Sequence, residues 1–193
     1  PGMVTAFGRL GGMVVGVVAN AAARIDSDMA AKAIRMVEFC DSFAIPLITV
    51  TDSEGYVISQ QAEADGLVLA ATNLMRTFQQ ASMPRIGLII GKAYGTAYLT
   101  MNSKSSGADV VYAWPTAEIA ALSSDTAAHI VYRKEIAAAS DPASARQSFV
   151  DKYADEVASP YVAAGLAHVD EVIQPAVTRP RLISALNMLT SAY

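Results

Sequence analysis

Apolar residues along this chain fall into short β-branched runs separated by longer stretches of helical period. That alternation sets the expected architecture. Behind Gly11-Gly12, residues 13–19 form a continuous valine-rich run that reads as a strand buried on both faces. Asp26-Ser27-Asp28 supplies N-cap oxygens, and Ala30, Ala33, Ile34, Val37 and Cys40 then recur at helical spacing, so a helix is expected that stops before Pro46. Residues 46–51 predict a second strand, ending in a turn at 52–55. From Gly66 the pattern is helical through Leu74, Met75 and Phe78, and Pro84 closes it. Residues 86–90 predict a third strand, 91–95 a turn into a short helix carrying Tyr98 and Met101, and 108–113 a fourth strand closed by Trp114-Pro115.

From Thr116 onward the pattern reads as helical. Pro142, Pro160 and Pro180 each mark a helix start, and Asp141-Pro142 offers an N-cap followed by a first-turn proline. Strands alternating with helices imply an α/β domain with a parallel sheet and crossover helices. The helical tail is too long for one crossover and is expected to pack across a neighbour.

Composition narrows the function. The 193 residues are 53% hydrophobic, enough for a sizeable core and for an extensive protein interface, so self-association is expected. A net charge of -4 with no basic stripe argues against nucleic acid as a partner. The apolar runs are too short to span a bilayer. Cys40 is the single cysteine, which excludes an internal disulfide. It reads as a buried, inert thiol, in keeping with a cytoplasmic or matrix-like reducing compartment. The chain begins at Pro1, almost directly on a hydrophobic stretch, and reads as a piece of something longer.

The usual catalytic sets are missing. His129 sits in a helical pattern, and His168 near Asp170 reads as a local surface pair. One cysteine and two scattered histidines give no metal-ligand spacing, and neither a nucleophile elbow nor a Walker loop is present. Two turns at the carboxyl ends of strands stand out instead. They are Asp52-Ser53-Glu54-Gly55-Tyr56 and Lys92-Ala93-Tyr94-Gly95-Thr96-Ala97-Tyr98. In the second, a glycine opens a helix whose first amides have no intrahelical acceptor and could stabilise an oxyanion. Taken alone, such turns are common and most serve packing.

The blocks Gly8-Arg9-Leu10-Gly11-Gly12, Phe39-Cys40-Asp41-Ser42-Phe43, Lys92–Tyr98, Tyr112-Ala113-Trp114-Pro115 and Ser159-Pro160-Tyr161-Val162-Ala163-Ala164 resemble, in order and over nearly the whole chain, the C-terminal half of carboxyltransferase β subunits of biotin-dependent acyl-CoA carboxylases and the α subunits of the related decarboxylases. The resemblance implies a crotonase fold of repeated ββα units, here with a helical C-terminal extension, and a single domain over 1–193. It implies binding of carboxybiotin on a carrier domain, with a separate N-terminal half holding the acyl-CoA. The carboxyl group would move between biotin and the α-carbon of a propionyl- or methylmalonyl-like acyl-CoA. Backbone amides of Thr96 and Ala97 would hold the ureido oxygen, with Gly55, Tyr56, Gly95, Tyr98 and Leu99 lining the cofactor cavity. Implied partners are the N-terminal half, the biotin carboxyl carrier protein, the biotin carboxylase subunit and further copies of the chain.

This chain departs from the family pattern at named positions. Thr96 stands where a second glycine is usual, so a Cβ is expected to restrict the backbone and narrow the pocket. Two prolines are missing around Gly55, which predicts a more mobile wall. Ala70-Ala71-Thr72 replace an Arg-His-Gly run, and Leu99 puts an apolar residue where the family tunes acyl choice. Two other readings compete. One is a catalytically silent binding or assembly module. The other is a free-standing crotonase hydratase or isomerase, in which Glu118 could fill the second acidic position but Leu99 occupies roughly the first.

Overall fold

Gly11 and Gly12 hold φ values of 59° and 89°, the paired left-handed conformation that closes a two-residue hairpin in register with strand twist. In the computed structural model, which describes residues 2–191, this turn joins β1 (Met3–Leu10) antiparallel to β2 (Met13–Asn20). Pro1, Ala192 and Tyr193, at the ends of the expected 1–193 domain, lie outside the described residues. β1 was not foreseen from the pattern. Its exposed Val4 and Phe7 break the alternation that marks a half-buried strand.

β3 (Arg24–Ile25) leads into α1 (Ser27–Ser42), capped by the Asp26 carboxylate, which accepts from Met29 N at 2.7 Å. β4 (Leu47–Ser53), β5 (Gly55–Tyr56), α2 (Gln60–Ala64) and α3 (Leu67–Gln80) follow. β6 (Arg85–Tyr94) runs straight into α4 (Gly95–Thr100). β7 (Val110–Ala113) and β8 (Glu118–Ala120) come next, then α5 (Ser124–Val131), α6 (Arg133–Ala138), α7 (Pro142–Tyr153) and a π-helical turn at Ala154–Ala158. α8 (Pro160–Gly165), β9 (Glu171–Val172) and α9 (Thr178–Thr190) complete the chain.

The main sheet has seven strands in the order β1-β2-β4-β6-β7-β9, with β8 paired to the far end of β6. All pairings except β1–β2 are parallel, and β3 and β5 form a second, two-stranded sheet. β6 is the spine: Ile86–Ile89 pair with β7, and Lys92–Tyr94 pair with β8. The main core lies between the sheet and α1 and α3, where Val18, Leu74, Phe78 and Cys40 are fully buried. A second cluster packs α9 against the other face through Leu182, Ala185 and Leu186.

Two expectations need correction. Residues 91–94 were expected to turn, but β6 continues through them over an irregularity in its register with β4. Gly91 makes this possible: a Cβ there would lie 2.4 Å from the Asp52 carboxylate, which accepts from Lys92 N at 2.8 Å. Residues 116–120 were expected to be helical, but 118–120 form β8. Three residues carry too little periodicity to reveal a strand, and pairing with β6 decides it. The helix starts at Pro142 and Pro160 stand as expected, with the Asp141 side chain accepting from Ala143 N and Ser144 N.

Candidate functional site

The carboxyl ends of β4 and β6 meet the start of α4 at a cleft of about 760 Å³. One wall is the β4–β5 turn, with Gly55 and Tyr56. The floor is the β6–α4 junction, with Tyr94, Gly95 and Thr96. The far side comes from the first turn of α5 and the end of α7.

Gly95 is required where it stands. Its φ is 59°, and a Cβ would come within 3.2 Å of the Ala121 carbonyl oxygen. It swings the chain from strand to helix, so that Gly95, Thr96 and Ala97 form a first helical turn whose amides have no acceptor one turn back. Thr96 lies within the right-handed helix, so its Cβ imposes no backbone restriction, contrary to expectation. Its side chain is exposed and lines the main cleft and two apolar cavities flanking α4, of about 370 and 540 Å³.

The residues expected at the site are brought together unevenly. Gly55, Tyr56, Gly95 and Thr96 share the main cleft. Ala97 is fully buried, its side chain in the main core. Tyr98 faces the 540 Å³ cavity, and Leu99 lies between both apolar cavities. Burial pushes the Tyr98 hydroxyl up to about 12, so it stays protonated.

The Gly55 wall is tied down by polar links. Glu54 N donates to Ala23 O at 2.7 Å and Val57 N to Ile25 O at 3.0 Å. Asn20 brackets the Asp52 peptide, donating to its carbonyl and accepting from its N–H at 3.0 Å. The Tyr56 hydroxyl lies 2.5 Å from Thr100 Oγ1, which donates to Ala97 O at 3.1 Å; with its single proton so placed, Thr100 accepts from Tyr56. Burial raises the Tyr56 hydroxyl, which keeps this donor protonated.

Pattern reasoning missed two pairs. Lys92 Nζ donates to Glu54 Oε1 at 2.6 Å, which lowers the Glu54 carboxyl and raises the Lys92 ammonium. The Tyr94 hydroxyl donates to Glu118, and burial, then this carboxylate, push that hydroxyl far up. A period-two reading of 92–94 as strand would have put both side chains on one face. The expected His168–Asp170 pair is replaced: the Asp170 carboxylate accepts from Lys104 Nζ at 2.8 Å and from Val111 N at 2.7 Å. Among the described residues no group of three or more His, Cys, Asp and Glu could hold a metal ion, and no helix is long and apolar enough to cross a membrane.

Residues 1–193 match the carboxyl transferase domain family. The chain belongs to that family. This carboxyl transferase domain is 43% identical to a putative propionyl-CoA carboxylase beta chain of Bacillus subtilis, over 97% of this chain and 38% of the relative. It is 42% identical to the methylmalonyl-CoA carboxyltransferase 12S subunit of Propionibacterium freudenreichii, over 96% of this chain and 36% of the relative. The carboxyl transferase domain thus spans a little over a third of the curated relatives it matches. The crystal structure of transcarboxylase 12S, with methylmalonyl-coenzyme A and methylmalonic acid bound, superposes with a TM-score of 0.94 at 41% identity, covering 98% of this chain and 37% of that one. The geranyl-CoA carboxylase beta subunit of Pseudomonas aeruginosa shares the fold at a TM-score of 0.86 and 18% identity. The architecture is the crotonase-like α/β fold of these carboxyltransferases.

Proposed function

We propose that this domain is the carboxybiotin-binding half of a biotin-dependent acyl-CoA carboxyltransferase, acting on a propionyl- or methylmalonyl-like acyl-CoA held by a separate N-terminal half. The observation that carries this reading is the Gly95–Ala97 turn opening on a 760 Å³ cleft. The domain is single over 1–193, works in the cytoplasm as part of an oligomer, and meets a biotin carboxyl carrier protein charged by a biotin carboxylase subunit.

The residues present fit a ureido ring. The cleft is large enough for a small-molecule group, the turn offers amides rather than a nucleophile, and the left-handed Gly95 brings the backbone to the surface. Bound carboxybiotin supplies the carboxyl group. The chain's part is to place the Thr96 and Ala97 amides where negative charge grows on the ureido oxygen, and to close the side of the cleft with Tyr56. Each lost donor of this kind typically costs about 3–4 kcal/mol of transition-state stabilisation.

The test is reconstitution. The chain is combined with an acyl-CoA-binding half and assayed with methylmalonyl-CoA and free biotin. Carboxyl transfer is expected only when both halves are present. No transfer with any acyl-CoA tried, together with tight binding of a biotinylated carrier, would replace this reading with that of a silent assembly module.

A further inference from the structure

The Lys92–Glu54 pair is not needed to hold the wall on which Glu54 stands. That wall is already fixed by Glu54 N on Ala23 O, by Val57 N on Ile25 O, by the Ser53 hydroxyl accepting from Gly55 N at 3.2 Å, and by Tyr56 on Thr100. Lys92 and Glu54 are 47% and 36% exposed, and a pair so open to water is held by a factor of about five at most. It is a contact that another anion can replace.

Where the pair sits gives it a use. Both residues line the main cleft as well as a smaller cavity of about 260 Å³ beside it. The cations lining the main cleft are Arg24 and Lys92, set against the carboxylates of Glu54, Glu118, Asp125 and Asp151. Arg24 Nη2 lies 4.0 Å from Glu54 Oε2, and its Nη1 donates to Tyr56 O at 3.3 Å. The Glu54 carboxylate therefore lies between the two cations, of which Lys92 stands four residues before Thr96 along the chain. A carboxylated substrate entering this otherwise acidic cleft is repelled unless a cation receives it.

We propose that Lys92, with Arg24 beside it, receives the carboxylate that is being transferred, and that Glu54 is an internal placeholder which that carboxylate displaces. The inference rests on the carboxyl-transfer reading above. Lys92 is built for the role: its backbone N–H is anchored on Asp52 Oδ1, and Gly91 leaves that carboxylate its room. Glu54 acts as a competitor within the site, so its removal strengthens anion binding where removal of a wall support would weaken it.

The experiment titrates malonate, a small dicarboxylate, into the chain and its variants by calorimetry. Glu54→Gln is expected to bind malonate up to about fivefold more tightly than the parent, the factor by which an exposed pair is held. Lys92→Met is expected to lose binding, and Lys92→Arg to keep it. In the reconstituted transfer assay, Glu54→Gln lowers the KM for the carboxylated acyl-CoA. Glu54→Gln binding malonate no better than the parent overturns the proposal, and so does Lys92→Met binding as well as the parent. Should Lys92→Met fail to fold, the surface variant Glu54→Gln decides alone. Malonate affinities in the expected order with no carboxyl transfer by the parent pair would keep the anion site and remove the carboxyl-transfer reading. Transfer with malonate affinities indifferent to both residues would do the reverse.

Discussion

The floor of the cleft and its roof are built in opposite ways. The floor is the end of β4, β6 and the start of α4, where Thr49, Ser53, Ala93 and Ala97 are all 0% exposed. The roof is α5 to α7, and neither α6 nor α7 contributes a buried residue. The roof's buried residues, Ser124, Ala127 and Ala128, all lie on α5, and α6 and α7 are joined to it by a stacked pair, Tyr132 and Phe149 at 4.3 Å, and an exposed ion pair between Arg146 and Asp125, with the Asp141 side chain capping α7. On the proposed function, the amides that need a fixed position stand on the buried part, while the part that would admit a carrier-borne group has few buried contacts, the mark of low local stability. Precision and access are assigned to different elements of one short chain.

Core truncation separates the two most strongly. Phe78→Ala, beneath the floor, removes a fully buried ring from the main core and is expected to cost about 3–5 kcal/mol of global stability, read as a lower denaturant midpoint at unchanged slope. A smaller loss than that of any roof substitution would erase the distinction. Next in size is Gly95→Val. The left-handed φ and the 3.2 Å approach to Ala121 O forbid its side chain without moving the amides. Transfer by the reconstituted pair should then fall by about 10²–10³ in kcat, with the far-UV spectrum retained. Undiminished turnover would show that the amide turn is not where charge is stabilised.

The same division governs what the sequence disclosed. Floor strands announce themselves because burial on both faces demands β-branched runs, and Pro46 and Pro84 punctuate them. Gly95 is legible because only glycine suits a strand that breaks into a helix at positive φ. Strand β8 is illegible: Glu118-Ile119-Ala120 has helix-forming composition, and β6 pairing overrides it. The polar pairs of the site join residues 38 and 24 positions apart, Lys92 with Glu54 and Tyr94 with Glu118, so no local pattern announces them. The start of α7 was readable from Asp141-Pro142, but its place over the cleft was not, because it carries no buried apolar face to orient it.

Cys40 gives a smaller handle on the floor side. Burial pushes its thiol from the ordinary 9.0 up to about 11. A group whose folded value is raised contributes stability that is whole below the unfolded value and lost as pH climbs through the folded one. The window is therefore pH 9 to 11, and the loss about 2–3 kcal/mol. Melting curves of the parent and of Cys40→Ala should converge across that window, and parallel curves would show that the thiol does not sense burial. Hydrogen exchange in the roof should not follow this titration.

The smallest effect falls on the roof and tests the contrast from its weaker side. Phe149→Ala removes one ring of the Tyr132 stack, an arrangement worth about 0.5–1.5 kcal/mol beyond area. The ring does not belong to the buried core, so the loss should appear as local opening. Amide exchange across 124–153 is expected to quicken by up to about tenfold, since 1.4 kcal/mol is a factor of ten, while β4 and β6 keep their protection and the melting temperature barely moves. If the two regions lost protection together, roof and floor would be one cooperative unit. Opening of the cleft would then require partial unfolding of the strands beneath it, and on the proposed function the cleft could not be both precise and accessible.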